Sequence, residues 1–338
     1  MLSPTLTTTD THPIQTCRYV SSQINYYFSI FLFIFGMVGN VLNIFVLSQR
    51  SLRSNPCAWL FLISSIANLI VILSGLTTRI VSYWTVDIID TTGWICKTRV
   101  YVLYVSRTIA SWLIILATID RWLLSSLSAR RRRLSTLKYA QHGTILVICL
   151  AVMIFSPLLY CYEANLMNTP LKCYTRSIVC RIFADQTYIT ITIILPLILM
   201  FLFGFMTMSN VRRSKHRVQT PLLLRTRHTL NENDIRLHRF RFIDRHLLIM
   251  LLVQISFFAL LTVPQAFQQI YSTMTRNNGK SSLQITIENA VFSFVILLSY
   301  LASGVPFYIY TLCGGRVFRE AFFVFLRRIK QIIICQQK

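Results

Sequence analysis

The sequence predicts an all-α membrane protein, a seven-transmembrane helix bundle followed by a short amphipathic eighth helix. Three observations carry that prediction. Of 338 residues, 54% are hydrophobic and 13% charged, about half the charged share of a soluble domain. Seven apolar segments each approach the roughly 20 residues that cross hydrocarbon about 30 Å thick. The basic residues gather in alternate connections between those segments, as the positive-inside rule requires. A net charge of +23 raises nucleic acid as a partner, but a mean hydropathy of +0.56 leaves too little polar surface for a soluble nucleic-acid binder. The lipid bilayer is the partner that the composition names.

The first span, Phe28–Leu47, follows a Thr-rich polar stretch with no basic n-region. It is therefore expected to act as its own insertion signal, with no cleavable signal peptide, and residues 1–25 form an extracellular tail. Ala58–Thr78 and Tyr101–Ile119 come next, the latter holding Arg107, the one charge deep inside any span. Ile145–Tyr162 is the fourth, Tyr188–Met208 contains Pro196, and Leu247–Phe267 contains Pro264. Asn289–Leu312 completes a membrane domain over 26–312. Segments this long are not strands, which end far sooner. The polar stretch Arg212–Arg245 reads as a mobile loop, and residues 313–338 as an amphipathic segment and cytoplasmic tail.

With the N-terminus outside, 24 of the 34 basic residues fall on the inner side. That orientation gives a multi-pass protein with its N-terminus outside, and the plasma membrane is its expected location. Arg130–Arg133 then serves topology and anionic lipid, at about 1 kcal/mol per basic residue, rather than nucleic acid. No Asn-x-Ser/Thr sequon is present, since Asn168 is followed by Thr169 and Pro170. Nine cysteines are too few for a disulfide-built secreted scaffold. No paired carboxylates, metal-ligand spacing or nucleophile elbow stands out, so neither an enzyme nor a cofactor is expected.

Several motifs stand in order on these spans. The first span reads Gly36-Met37-Val38-Gly39-Asn40, with Asn43 beyond; the third ends in Asp120-Arg121-Trp122, with Arg121 25 residues after Cys96. Pro196 interrupts the fifth span and Pro264 the sixth, with Phe258 six residues before Pro264. The seventh ends Pro306-Phe307-Tyr308-Ile309-Tyr310, ahead of an amphipathic run from Arg316. Together these resemble the rhodopsin-like family of G-protein-coupled receptors over about Tyr26 to Arg328. The departures are Trp122 for tyrosine, Asn68 for the span-two aspartate, no tryptophan in span four, Gly204, Thr262 for the toggle tryptophan, and Pro306 at the asparagine place. The pattern is similar to diverged invertebrate neuropeptide receptors of the FMRFamide-receptor group.

The resemblance implies a switch. Arg121 would be held by Asp120 and Asp244 at rest, then released to a heterotrimeric G protein, with Trp122 and Tyr310 beside it. An isolated interfacial arginine more often reaches up to lipid phosphate. Pro196, Pro264 and Pro306, with Phe258, would be hinges, since proline removes a backbone bond. Asn68 supplies no carboxylate, so no sodium site is expected. Cys96 would join the connection after span four through Cys173, or alternatively Cys180, and Cys161 the cysteine left over. Cys313 and Cys335 are either palmitoylation sites or plain thiols.

Arg107 lies roughly 21 Å above Arg121 by helical rise. Intramembrane charges face the bundle interior and take partners. Either Arg107 and Arg79 meet an acidic group or the carbonyls of an extracellular peptide ligand, or one of them pairs with Glu288. Tyr104, Gln265, Gln268 and Gln269 complete a polar pocket. Leu103 stands where amine receptors of the family have aspartate, which disfavours a biogenic amine, and no span-seven lysine could hold retinal. The rival classes are an anion transporter or channel using the two arginines, and a seven-helix receptor no longer coupled to G proteins.

Overall fold

Lipid offers no partner for backbone N–H and C=O groups, so a long apolar segment satisfies them within itself by forming a helix. The computed structural model describes residues 8–84, 92–126, 128–166, 173–222, 232–275 and 280–313, with 318–319, 322–324, 327 and 331. Side chains of 8–11, 50–51, 82–84, 214–222, 232–248 and 312–313 fall outside that description. The principal helices are α1 (Thr8–Leu47), α2 (Pro56–Trp84), α3 (Gly93–Ser125) and α4 (Leu137–Phe155). Helix α5 runs on through Ile178–Thr187, Tyr188–Ile194 and Leu195–Leu222. Then come α6 (Glu232–Met274), α7 (Ser282–Gly304) and α8 (Pro306–Cys313). Among the described residues, seven helical stretches are long and apolar enough to cross a membrane.

Two expectations need correction at their edges. Residues expected as a tail are helical from Thr8 onward, with Ile14 buried and Asn25 accepting a 2.7 Å bond from Arg79. The stretch Arg212–Arg245, expected as a loop, extends α5 to Leu222 and opens α6 at Glu232. The arginines of these described parts are good helix formers. A two-residue hairpin also joins the helices: β1 (Tyr162–Glu163) pairs antiparallel with β2 (Tyr174–Thr175), Tyr162 opposite Thr175.

Helix α3 is the centre, packed on α2, α4 and α5, while α1 lies against α2 and α7. Where α1 crosses α7, glycines let the backbones meet. A Cβ at Gly304 would lie 3.2 Å from Gly36 Cα and 3.2 Å from the Phe35 ring. Asn40 then reaches across, its Nδ2 donating to Gly36 O at 2.8 Å and Ser303 O at 3.1 Å. The largest apolar core gathers Leu60, Phe61, Leu113, Met250, Ile255 and Tyr310 at one end of the bundle. Phe318 and Phe322, from the amphipathic segment, pack on Phe307 at 6.2 and 5.7 Å. The outer faces expose Ile145, Leu146, Met153, Phe201, Phe205, Leu260 and Phe267, an apolar belt fit for lipid rather than water.

Pro196 shapes α5 beyond a simple kink. The seven residues before Leu195 wind as a π-helix, in which each carbonyl accepts from the N–H five residues on. For Ile191 that donor would be Pro196, which has none. The indole Nε1 of Trp112 on α3 supplies the bond instead, 2.9 Å from Ile191 O.

Candidate ligand cavity and arginine latch

Two disulfides gather one end of the bundle. Cys96, at the start of α3, is bonded to Cys173, and Cys161 to Cys180. They bring the β-hairpin and the start of α5 against α3, around buried Val100, Phe155, Leu158 and Ala184. Beneath this cap lies a cavity of about 150 Å³ whose wall includes Arg79, Leu103, Tyr104, Arg107, Gln265 and Gln269. Gln268 and Glu288, expected with them, do not line it. Glu288 binds Lys280 at 2.6 Å and accepts from Gln284 and Tyr271, while Gln268 Nε2 donates to the Glu288 carbonyl at 3.4 Å. Lys280 stands two residues before α7 and wins this carboxylate over both arginines by proximity.

Arg107 is 8% exposed. Its Nη1 donates to Tyr188 Oη at 3.0 Å and to Ser299 Oγ at 2.7 Å, and its guanidinium lies 4.3 Å from the centre of the Tyr300 ring. Such a cation–π contact offsets part of the desolvation cost. Nε and Nη2 have no hydrogen-bond partner, and no carboxylate pairs with Arg107 among the described residues. Tyr104 shares a 3.3 Å hydroxyl contact with Tyr162. Arg99 and Arg181 also reach the wall, with Asp185 held 3.6 Å from Arg181. Tyr188, Ser299 and Tyr300 left no trace in the sequence reading, because uncharged polar residues are ordinary in membrane helices. The Arg181/Asp185 pair was visible as an i, i+4 spacing.

A second, smaller cavity of about 40 Å³ lies deeper, lined by Asn68, Arg107, Ser111, Tyr188, Gln254 and Ser303 among others. Thr262, at its edge, turns its hydroxyl back to Phe258 O at 2.7 Å. Phe258 packs beside Tyr188, Ile189 and Ile193 of α5. Pro264 sits inside an unbroken α6, and Pro306 is the first residue of α8, where the missing N–H costs nothing.

At the opposite end of α3, Arg121 is buried and its Nη2 lies 2.6 Å from Asp120 Oδ2. The Ser135 hydroxyl donates to the other Asp120 oxygen, and Asn55 Oδ1 accepts from Arg121 at 3.4 Å. Trp122 packs on Phe203 at 5.3 Å, with Arg131 5.5 Å above its ring. Tyr310 donates to Gln254 of α6 at 2.9 Å. Asn55, Ser135 and Gln254 are thus parts of this end that the sequence reading missed. The side chain of Asp244 lies outside the described residues.

Seven apolar helices, a polar cavity under disulfides at one end and a latched arginine at the other define a seven-helix receptor of the G-protein-coupled class. The family model for serpentine type 7TM GPCR chemoreceptors, Srsx, matches residues 33–323, and the chain belongs to that family. No curated protein matches the chain.

Proposed function

We propose that this chain is a plasma-membrane receptor, N-terminus outside, that answers an extracellular ligand by activating a heterotrimeric G protein. One observation carries the reading: α3 bears at its middle a buried arginine facing a ligand-sized cavity, and near its far end a buried arginine tied to its neighbouring aspartate. The basic connections then face the cytosol and the disulfides the oxidising exterior. A ligand that displaces the α5 and α7 groups around Arg107 biases the bundle toward release of Arg121. Differential affinity for the two states supplies the bias. Asp244 is the candidate anchor on α6. Tyr310 and the prolines Pro196, Pro264 and Pro306, with Phe258, accommodate the movement.

The ligand that suits this wall is a short neuropeptide whose terminal residue enters the cavity, its carbonyls meeting Arg79 and Arg107 and its amides Gln265 and Gln269. The test is nucleotide exchange in membranes carrying the chain and heterotrimers of each α class, challenged with free-acid and amidated peptides. Ligand-dependent exchange is the expected result. Saturable binding that provokes exchange on no α class would establish a receptor that has lost coupling, and the Asn68, Gly204, Thr262 and Pro306 departures would be its cause.

A further inference from the structure

A guanidinium inside a membrane bundle needs a counter-charge, because an unpaired buried ion is costly. The described acids away from the latch end are all taken: Glu163 lies 3.8 Å from Arg176, Asp185 3.6 Å from Arg181, and Glu288 2.6 Å from Lys280. Arg107 has none. Its two protein hydrogen bonds both leave from Nη1, so Nε and Nη2 are the donors without partners. Those two share one edge of the guanidinium, the edge that grips a carboxylate with parallel bonds. Two acceptors nearby are also idle: Oε1 of Gln265 and Oε1 of Gln269 are buried without partners, and both residues stand on the cavity wall.

We propose that the cavity takes a small carboxylic acid whose carboxylate is gripped by the Nε–Nη2 edge of Arg107, and whose apolar body carries a hydrogen-bond donor for Gln265 or Gln269. The proposal rests on the receptor reading above and names the ligand class of that site. Size and wall set the rest of the ligand. A cavity of about 150 Å³ accommodates a benzene-sized body, and Leu103, Phe292, Ile296 and Tyr300 provide apolar and aromatic surface for it. The acid is therefore either a free aromatic or branched hydroxy- or acylamino acid, or the C-terminal residue of a peptide with an unmodified carboxylate. An amidated peptide end would leave the guanidinium uncompensated. Both donor atoms are fully buried, so the acid reaches them as the guanidinium turns from Tyr188 and Ser299 toward the cavity. That turn loosens α3 from α5 and α7 together.

The experiment measures the unfolding midpoint of the purified chain in lipid nanodiscs. Phenyllactate, 2-hydroxyisocaproate and N-acetylphenylalanine form one arm, and the dipeptide Gly-Phe the other. Each is paired with its methyl ester and primary amide at millimolar concentration. At least one acid should raise the midpoint by about 3 °C or more, with its ester and amide inert. A free acid that works where Gly-Phe fails points to a metabolite, and the reverse to a peptide end. Arg107→Gln should abolish the shift, and Arg107→Lys, which keeps charge without the fork, should weaken it about tenfold. Esters or amides that stabilise as well as the acids, or a midpoint that none of the four acids raises, overturn the proposal, and this comparison needs only the unmutated chain. Acid-specific stabilisation without nucleotide exchange would leave the carboxylate site standing and remove G-protein coupling.

Discussion

Replacing Ser135 with alanine should raise ligand-independent signalling. The Ser135 hydroxyl donates to one oxygen of Asp120 while Arg121 holds the other. The two contacts together fix the carboxylate on which the latch depends. A hydrogen bond to a charged group contributes about 1.5–3 kcal/mol when buried. Ser135 is half-buried, so water replaces part of it and about 1 kcal/mol of preference for the latched state is lost. That is a factor of about five in the resting equilibrium, enough to take a receptor from about 1% to about 5% active. Basal nucleotide exchange in membranes, at matched surface expression, measures it. Ser128→Ala, in the same connection and exposed, is the control and should change nothing. Asp120→Asn should raise exchange further. Unchanged basal exchange in Ser135→Ala, beside a clear rise in Asp120→Asn, would refute the role given to Ser135.

The remaining predictions address the bundle and its cavities. Replacing Cys161 and Cys180 by serine opens a link spanning 19 residues and should cost about 3 kcal/mol of stability, read as a lower unfolding midpoint and reduced surface expression. Trp112→Phe strands the Ile191 carbonyl and should destabilise by about 1–3 kcal/mol; Trp59→Phe, whose Nε1 has no hydrogen-bond partner, should cost distinctly less in the same melt. Sodium chloride and choline chloride should give the same midpoint, because Asn68, Ser111 and Ser303 offer no carboxylate and Arg107 repels a cation. Tyr188→Phe releases one of the two bonds on Arg107 Nη1. It should lower the midpoint of the unliganded chain while raising affinity for any stabilising acid severalfold, and a drop in acid affinity would exclude the turning arginine.

The bundle was legible because it is written in composition. Span length, the single deep charge and the skew of the basic residues follow from bilayer thickness and the cost of charge, which act on one segment at a time. The helix ends were less legible. Lipid sets where a span must be helical, but nothing makes the helix stop at the interface, and α1 and α6 continue well past it. The site was legible mainly where it carries charge, with Leu103, Tyr104, Gln265 and Gln269 the uncharged exceptions on the cavity wall. Arg107, Arg121 and Asp120 announce themselves, whereas their partners Tyr188, Ser299, Asn55 and Ser135 are polar residues of common kinds, brought close by the fold across 15 to 192 positions. Glu288 shows the opposite case. Its charge makes it a candidate partner for Arg107 or Arg79, yet a lysine eight residues away claims it.

The departures at positions 68, 262 and 306 lose their isolation once Arg107 is placed among them. Arg107 and Tyr188 line both the outer and the inner cavity, so their hydrogen bond stands between the two. In this bundle, which has no span-two carboxylate, the resting guanidinium of Arg107 occupies the polar centre between the two cavities. Asn68, Ser299 and Ser303, all neutral, are what such a centre tolerates, since a carboxylate there would capture Arg107 and keep it from the outer cavity. On the proposed reading two routes lead from Arg107 to the far end, one through Tyr188 to the π-turn of α5 and one through Ser299 to α7 and the Pro306 break, from which Tyr310 reaches Gln254 on α6. Thr262, which spends its hydroxyl on its own helix, is not on that path. Its replacement of a bulky aromatic is therefore compatible with a receptor whose trigger is an arginine rather than a rotating ring.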